Sequence, residues 1–328
     1  MNNPINICLA GYGGFGKRLH GYLEKMPQFR VKYIYHPDSA KAAQYGPLGS
    51  SDIYLIMNDP DLEAIIVATP HDWHFDLVWR SFIHRRHHIF VEKPMLSSWL
   101  EFETLNRLER PNKVFIVGHN QRRETVFRKA KEFLISGEIG KVVDVYFNFS
   151  HGGAYILSPD NWRCSAKRNR EGPLAVLGSH AIDTIHYLFG DVASVCARLY
   201  NVSGKTEAPD ASSVMMTMAS GVNILLSSNY CVPSEKFCVI SGTEGVIYID
   251  RDKIFLRKGR DVSKVSAPKQ EITVAPVDTI QEELQEFTNA ILNGKKVETG
   301  FEEGSAVVKV LDACYRSSVE NRPIQLSL

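Results

Sequence analysis

Residues Ile5-Asn6-Ile7-Cys8-Leu9-Ala10 form a short, mostly apolar run, and Gly11-Tyr12-Gly13-Gly14-Phe15-Gly16 follows without a gap. An apolar run this short reads as a buried strand. Phe15, Leu19, Tyr22, Leu23 and Met26 then recur at helical spacing, and Pro27 closes the segment. The three glycines at first, third and sixth place therefore sit in a strand-to-helix turn. Gly11 permits the tight exit from the strand, Gly13 lets a ligand approach the backbone, and Gly16 lets the helix pack close to the sheet. The free N–H groups and positive dipole end of such a helix suit a pyrophosphate. Glycine-rich turns are common, but this one has the flanks that a dinucleotide fingerprint requires. Gly11, Gly13, Gly14, Phe15 and Gly16 are accordingly assigned to cofactor binding.

The rest of the first 120 residues repeats the alternation of strand and helix. Val31–Tyr35 reads as the second strand. An acid at its end would bond the adenosine ribose, but the residues there are His36, Pro37 and Asp38. Either Asp38 reaches the ribose, or His36 with Lys41 accommodates a 2′-phosphate, so the cofactor is NAD or NADP. Ala64–Ala68 is a continuous apolar run, as expected of a central parallel strand. It ends in Thr69-Pro70-His71-Asp72-Trp73-His74. Ligands bind beyond the carboxyl ends of such strands, which places Thr69, Pro70, His71 and His74 toward the cofactor. The plainer reading makes Thr69-Pro70 a strand terminator and His74 a helix start. Ile89–Val91 is followed by Glu92-Lys93-Pro94, a lysine poised at a strand tip, with a proline whose peptide bond can be cis. Ser98-Trp99-Leu100-Glu101 is a capping box. Val114–Val117 completes a pattern expected to have six strands, and ends in Gly118-His119-Asn120-Gln121-Arg122-Arg123. The fold expected is a doubly wound parallel sheet over residues 1–120, followed by an α+β domain over 121–328 with a largely antiparallel open sheet.

Composition narrows the function. Thirty-eight basic and 37 acidic residues leave a net charge of +1, without the electrostatic footprint of a nucleic-acid binder. The one basic cluster, His84 to His88, reads as a solvated helix end. No apolar run is long enough to span a membrane, and the first strand starts too early for a leader segment. Six scattered cysteines lack metal or disulfide spacing. A cytoplasmic protein without a metal site is the expectation.

In the second half, Val126–Leu134 is amphipathic and Lys141–Phe149 alternates as a strand. Residues 151–171 form a long irregular stretch, and such stretches are commonly functional. Within it Trp162 can wall a sugar ring and Arg163 can bond its hydroxyls, whereas Lys167 to Arg170 can equally be solvated surface. Leu174–Phe189 reads as a helix stopped by Gly190, with a buried stripe of Leu174, Leu177, Ala181, Ile185 and Leu188. His180 and Asp183, three apart, share another face with Val176. After Asp191 the pattern turns to strands, and helices over 281–292 and 304–319 close the chain. One face of the expected sheet is left to pair with a second subunit.

The glycine turn, Thr69-Pro70 with His74, Glu92-Lys93-Pro94, Gly118 to Arg122, and Gly178-Ser179-His180-Ala181-Ile182-Asp183 together resemble the Gfo/Idh/MocA oxidoreductases, which include glucose–fructose oxidoreductase and inositol dehydrogenase. The similarity covers essentially the whole chain. It implies Lys93 and His180 as the catalytic pair, Asp183 as a substrate-orienting residue, and a sugar, cyclitol or related polyol as substrate. Arg122, Trp162 and Arg163 join the substrate group, and Glu92, Lys93 and Asn120 the cofactor group. The family usually carries an aspartate four residues before the histidine, where this chain has Val176. That departure motivates a rival reading, a nucleotide-binding regulator or sensor that has lost its chemistry.

Overall fold

A computed structural model describes residues 3–109, 112–259 and 268–327. The chain forms two compact units. The first comprises the described residues of Met1–His119 with Ile280–Val308, and the second those of Asn120–Thr279 with Lys309–Leu328.

In the first unit, strands β1 (Ile5–Ala10), β2 (Phe29–Tyr35), β3 (Gly49–Ser50), β4 (Ala64–Val67), β5 (His88–Val91) and β6 (Phe115–Val117) build one sheet in the order β3-β2-β1-β4-β5-β6. Every pairing is parallel. The connections carry helices α1 (Gly14–Leu23), α2 (Ser39–Ala43), α3 (Ile53–Asn58), α4 (His74–His84) and α5 (Trp99–Asn106). Strand order reverses between β1 and β4, and this switch point is where an open α/β sheet takes its ligand.

Both faces of the sheet are covered, which is why its central strands β1 and β4 are mostly apolar. Ile5, Ile7 and Leu9 of β1 join Leu19 and Leu23 of α1 in one core. Cys8 and Ala10, pointing the other way, join Ile56, Leu77 and Val78 of α3 and α4 in a second. Ile280, Leu284 and Phe287 pack into the first core, and Phe301 and Val308 into the second. A single boundary near Asn120 therefore misses residues 280–308, which return to the first unit. The pairing partner that completes six strands is the two-residue β3, too short to announce itself in sequence. The cluster at 84–88 is not a solvated helix end throughout. His87 is fully buried, and His88 starts β5 with its Nδ1 accepting the N–H of Val114 at 3.0 Å.

The second unit contains α6 (Thr125–Ile135), β7 (Val142–Ser150), α7 (Ser179–Phe189) and strands β8 (Val192–Tyr200), β9 (Ala211–Met218), β10 (Asn223–Asn229), β11 (Glu235–Gly242), β12 (Gly245–Asp250), β13 (Lys253–Lys258) and β14 (Gln270–Ile272). Helix α8 (Thr279–Asn293) and the start of α9 (Phe301–Glu320) belong with the first unit, and β15 (Ile324–Gln325) returns to the second. The nine strands run in the order β14-β13-β12-β11-β7-β10-β9-β8-β15. All neighbours are antiparallel except β7 and β10, which are parallel. Val145 and Phe147 of β7 are buried, while Tyr146 between them is 45% exposed. That period of two marks one covered and one open face.

Candidate functional site

At the end of β1 the chain turns through Gly11, whose φ of +95° favours glycine, and its N–H donates to the carbonyl of Tyr35 at 3.2 Å. A Cβ there would lie 2.7 Å from the backbone of Ala68 and Thr69. A Cβ at Gly16 would collide with the carbonyl oxygen of Gly11. Backbone cannot move aside cheaply, so packing alone enforces both glycines. Gly13 and Gly14 differ. A Cβ at either meets no atom of the described residues within 4 Å. Among the described residues no contact demands glycine at these two positions, whereas a group lying against the N-terminus of α1 would. Gly13 is the N-cap of α1 without any side-chain cap, so the first N–H groups of the helix stay available for an anion. Across the switch point, the Thr69 hydroxyl is buried without a hydrogen-bond partner among the described residues. These features fit a dinucleotide.

His74 follows a different course from the one the sequence suggests. It is fully buried, with Nδ1 2.9 Å from the carbonyl oxygen of Pro94 and Nε2 3.0 Å from that of Thr69. It bridges the tip of β4 and the tip of β5. Burial pushes its pKa down, opposed by the two carbonyls. Lys93 stands half-buried at the β5 tip, and its bond to Pro94 is cis. Beside it, burial raises the Glu92 carboxyl to about 7, against the pull of Lys93. A Cβ at Gly118 would sit 2.7 Å from Glu92 Oε1, so the glycine after β6 is shaped by that buried acid. Asp38 and His36 occupy the end of β2. Asp38 Oδ1 accepts the N–H groups of Ala40 and Lys41, capping α2, and His36 Nδ1 accepts the N–H of Asp38.

In the second unit, α7 is entered through a π-helical turn, Leu174–Gly178. Such a turn widens the helix by one residue and often accompanies function. It changes the angular relation of Val176 to His180 from the one that 3.6-residue spacing predicts. Val176 packs on the small cluster of Ala154, Leu177 and Tyr230. Asp183, one turn beyond His180, is 1% exposed at its side chain and bound to Arg122 in two places. Arg122 Nε donates to Oδ2 at 2.8 Å and Nη2 donates to Oδ1 at 2.6 Å. Both residues were expected to meet substrate. Here they form a buried bidentate pair, which ties the segment after β6 to α7. Asn120 donates to the Thr279 hydroxyl at 3.1 Å. His180 remains half-buried, with the Phe149 ring 6.1 Å away and its carbonyl accepting from the Thr184 hydroxyl.

The irregular stretch after β7 is organised by short 3₁₀ turns. The Arg163 guanidinium lies 4.5 Å over the Trp162 ring and beside the Tyr230 hydroxyl. His151 stacks on Tyr230 at 5.0 Å, and burial lowers its pKa, helped by Arg163. Tyr230, fully buried at the end of β10, is thus the post around which the predicted Trp162-Arg163 pair assembles. Sequence reading missed it and His151, since neither falls in a motif. Arg170 is no loose surface cation. It donates to Glu171 at 2.7 Å and to Asp312 of α9 at 2.9 Å. Among the described residues, no group of three or more His, Cys, Asp or Glu is placed to hold a metal ion, and no helix is long and apolar enough to cross a membrane.

A doubly wound sheet with a glycine turn at its switch point, followed by an open-faced sheet, defines the class: a two-unit oxidoreductase with an NAD-binding Rossmann domain. The oxidoreductase family described by that Rossmann fold matches residues 5–119, and its GFO/IDH/MocA C-terminal domain matches residues 127–248. The chain belongs to the Gfo/Idh/MocA oxidoreductase family. It is 24% identical to scyllo-inositol 2-dehydrogenase (NADP(+)) IolW of Bacillus subtilis, covering 99% of this chain and 96% of that protein. It is also 24% identical to 2,7-anhydro-N-acetylneuraminate hydratase of Mediterraneibacter gnavus, covering 98% and 97%. Levoglucosan dehydrogenase, solved in complex with NADH and levoglucosan, superposes with a TM-score of 0.87 at 23% identity, covering 99% of this chain and 100% of that one.

Proposed function

We propose that this oxidoreductase moves a hydride between a nicotinamide coenzyme and a carbinol or keto carbon of a sugar, cyclitol or related polyol. The carrying observation is the glycine turn. Packing enforces glycine at 11 and 16, while 13 and 14 lie open beside an uncapped helix start. Relatives acting on scyllo-inositol and levoglucosan support the substrate class.

When bound, the nicotinamide accepts or returns the hydride. As the hydride leaves the carbinol carbon with its electron pair, the hydroxyl proton must pass to a side chain. His180 suits that exchange, because imidazole changes charge near neutral pH. Lys93 serves as proton relay or as the charge that steadies the developing alkoxide. Arg122 and Asp183 act as positioning residues, since their bidentate pair holds α7 and through it His180. Trp162 and Arg163 supply an apolar wall and a donor fork for a hydroxylated ring. A panel of polyols and keto-sugars, read by coenzyme absorbance, tests the reading. Lys93→Met and His180→Ala should each cut turnover by more than about tenfold while coenzyme still binds. Unchanged turnover in both rejects these roles. Binding without turnover on any panel member favours the sensor reading that Val176 motivates.

The open face of the nine-stranded sheet supports self-association. Met215, Leu225 and Tyr146, 42–48% exposed, lie side by side in register, and the row continues through Val239 and Tyr248. A contiguous apolar row on an uncovered sheet suits an isologous pairing. Leu225→Lys with Tyr146→Lys should lower the mass found by light scattering, and a variant of unchanged mass rejects this surface. All six cysteines are free, in keeping with a reducing cytoplasm. Recovery of the protein in a periplasmic or membrane fraction would refute that placement.

A further inference from the structure

We infer that the nucleotide site prefers the coenzyme bearing a 2′-phosphate, recognised by His36 and Lys41. The inference rests on the dinucleotide reading of the first unit and goes beyond it by choosing between the two coenzymes. In such sheets the end of the second strand faces the adenosine ribose. An acid there accepts bonds from the ribose hydroxyls and repels a phosphate, whereas a cation accommodates one.

Strand β2 ends at Tyr35, which is buried, so the first side chain available beyond it is that of His36. The backbone N–H of Asp38 donates to His36 Nδ1 at 3.0 Å. An N–H only donates, so Nδ1 carries a lone pair and the ring proton sits on Nε2. The imidazole therefore presents an N–H donor to a ligand. A phosphate oxygen accepts from that donor. A carboxylate in its place would accept from two ribose hydroxyls, and His36 cannot.

The one carboxylate in this turn has one of its oxygens engaged as a helix cap. Asp38 Oδ1 accepts the N–H groups of both Ala40 and Lys41, which makes it the cap of α2. Those backbone bonds, with the Lys41 ammonium, hold its carboxyl below the usual range. Lys41, exposed one turn beyond His36, offsets the Asp38 charge. The turn thus lacks the negative excess that excludes a phosphate dianion. It keeps an imidazole N–H donor and an ammonium group, and charge-assisted bonds such as the ammonium makes are the strong ones.

Calorimetric titration of the purified chain with NADPH, NADH, adenosine 2′,5′-bisphosphate and 5′-AMP tests this without any substrate. NADPH should bind roughly tenfold or more tightly than NADH, and the bisphosphate more tightly than 5′-AMP. His36→Asp should reverse both preferences, and Lys41→Ala should weaken NADPH several-fold while leaving NADH nearly unchanged. Circular dichroism checks that both variants are folded. Wild-type chain that binds NADH as tightly as NADPH overturns the preference alone. Chain that binds none of the four ligands overturns the dinucleotide reading as well.

Discussion

The glycine turn at 11–16 and the helix at 174–189 are both dense in small or buried residues, yet they are held by opposite means. The turn is shaped by backbone. Its glycines are required because the carbonyl of Gly11 and the strand end at Ala68-Thr69 leave no room for a Cβ. The helix is shaped by side chains, above all the bidentate pair between Asp183 and an arginine 61 residues earlier. A site built on backbone tolerates almost no added atom. A site built on a buried ion pair tolerates no removal of one partner, because the charge left behind has no solvent.

That contrast can be broken experimentally. The largest expected effect is in the helix. Asp183→Ala strands the buried Arg122 and should cost about 3–5 kcal/mol of stability. Replacing both, as Arg122→Met with Asp183→Leu, should recover much of the loss in urea unfolding. If the double variant is as unstable as the single, the pair is not what holds α7. Next comes Gly16→Ala. Its added methyl meets the Gly11 carbonyl and should cost about 1–3 kcal/mol and weaken coenzyme binding by roughly tenfold or more. Calorimetric coenzyme binding at wild-type affinity would show that the turn yields more easily than its contacts imply.

The smallest effect is one of slope. Burial raises Glu171 to about 7, against the pull of Arg170. The folded chain then keeps this proton between pH 4.5 and 7 while the unfolded chain releases it. The contribution to stability is present below about pH 4.5 and is lost as pH rises through 7. Glu92 in the first unit is also raised to about 7 and carries the same sign. His87 and His88, lowered to about 4, act oppositely, losing stability as pH falls from 6.5 toward 4. Glu171→Gln should remove one contribution and leave the others, so the urea midpoint of the variant should gain on wild type as pH climbs from 4.5 to 7. Parallel curves would show that Glu171 titrates normally.

Much of the first unit was legible because its determinants are local. The apolar strand runs, the glycine spacing and the strand-tip lysine each lie within a few consecutive residues. Long-range contacts left no such local sign. His74 was assigned to the cofactor because it follows a strand end, and its ring nitrogens lie 2.9 and 3.0 Å from two carbonyl oxygens, one of them 20 residues away. Asp183 and Arg122 were each assigned to substrate, and the bond between them spans 61 residues that no local pattern connects. Tyr230 and His151 left no signal, since a stacked pair across 79 residues has no period.

The chain order of polar and apolar residues was sufficient for the doubly wound unit, the open sheet and the coenzyme turn. Periodicity and glycine geometry act over one or two turns and survive translation into one dimension. Which charged groups are buried in ion pairs, and to which unit the last helices return, were settled by packing. Desolvation and ion pairing depend on neighbours far along the chain, and no local pattern encodes them.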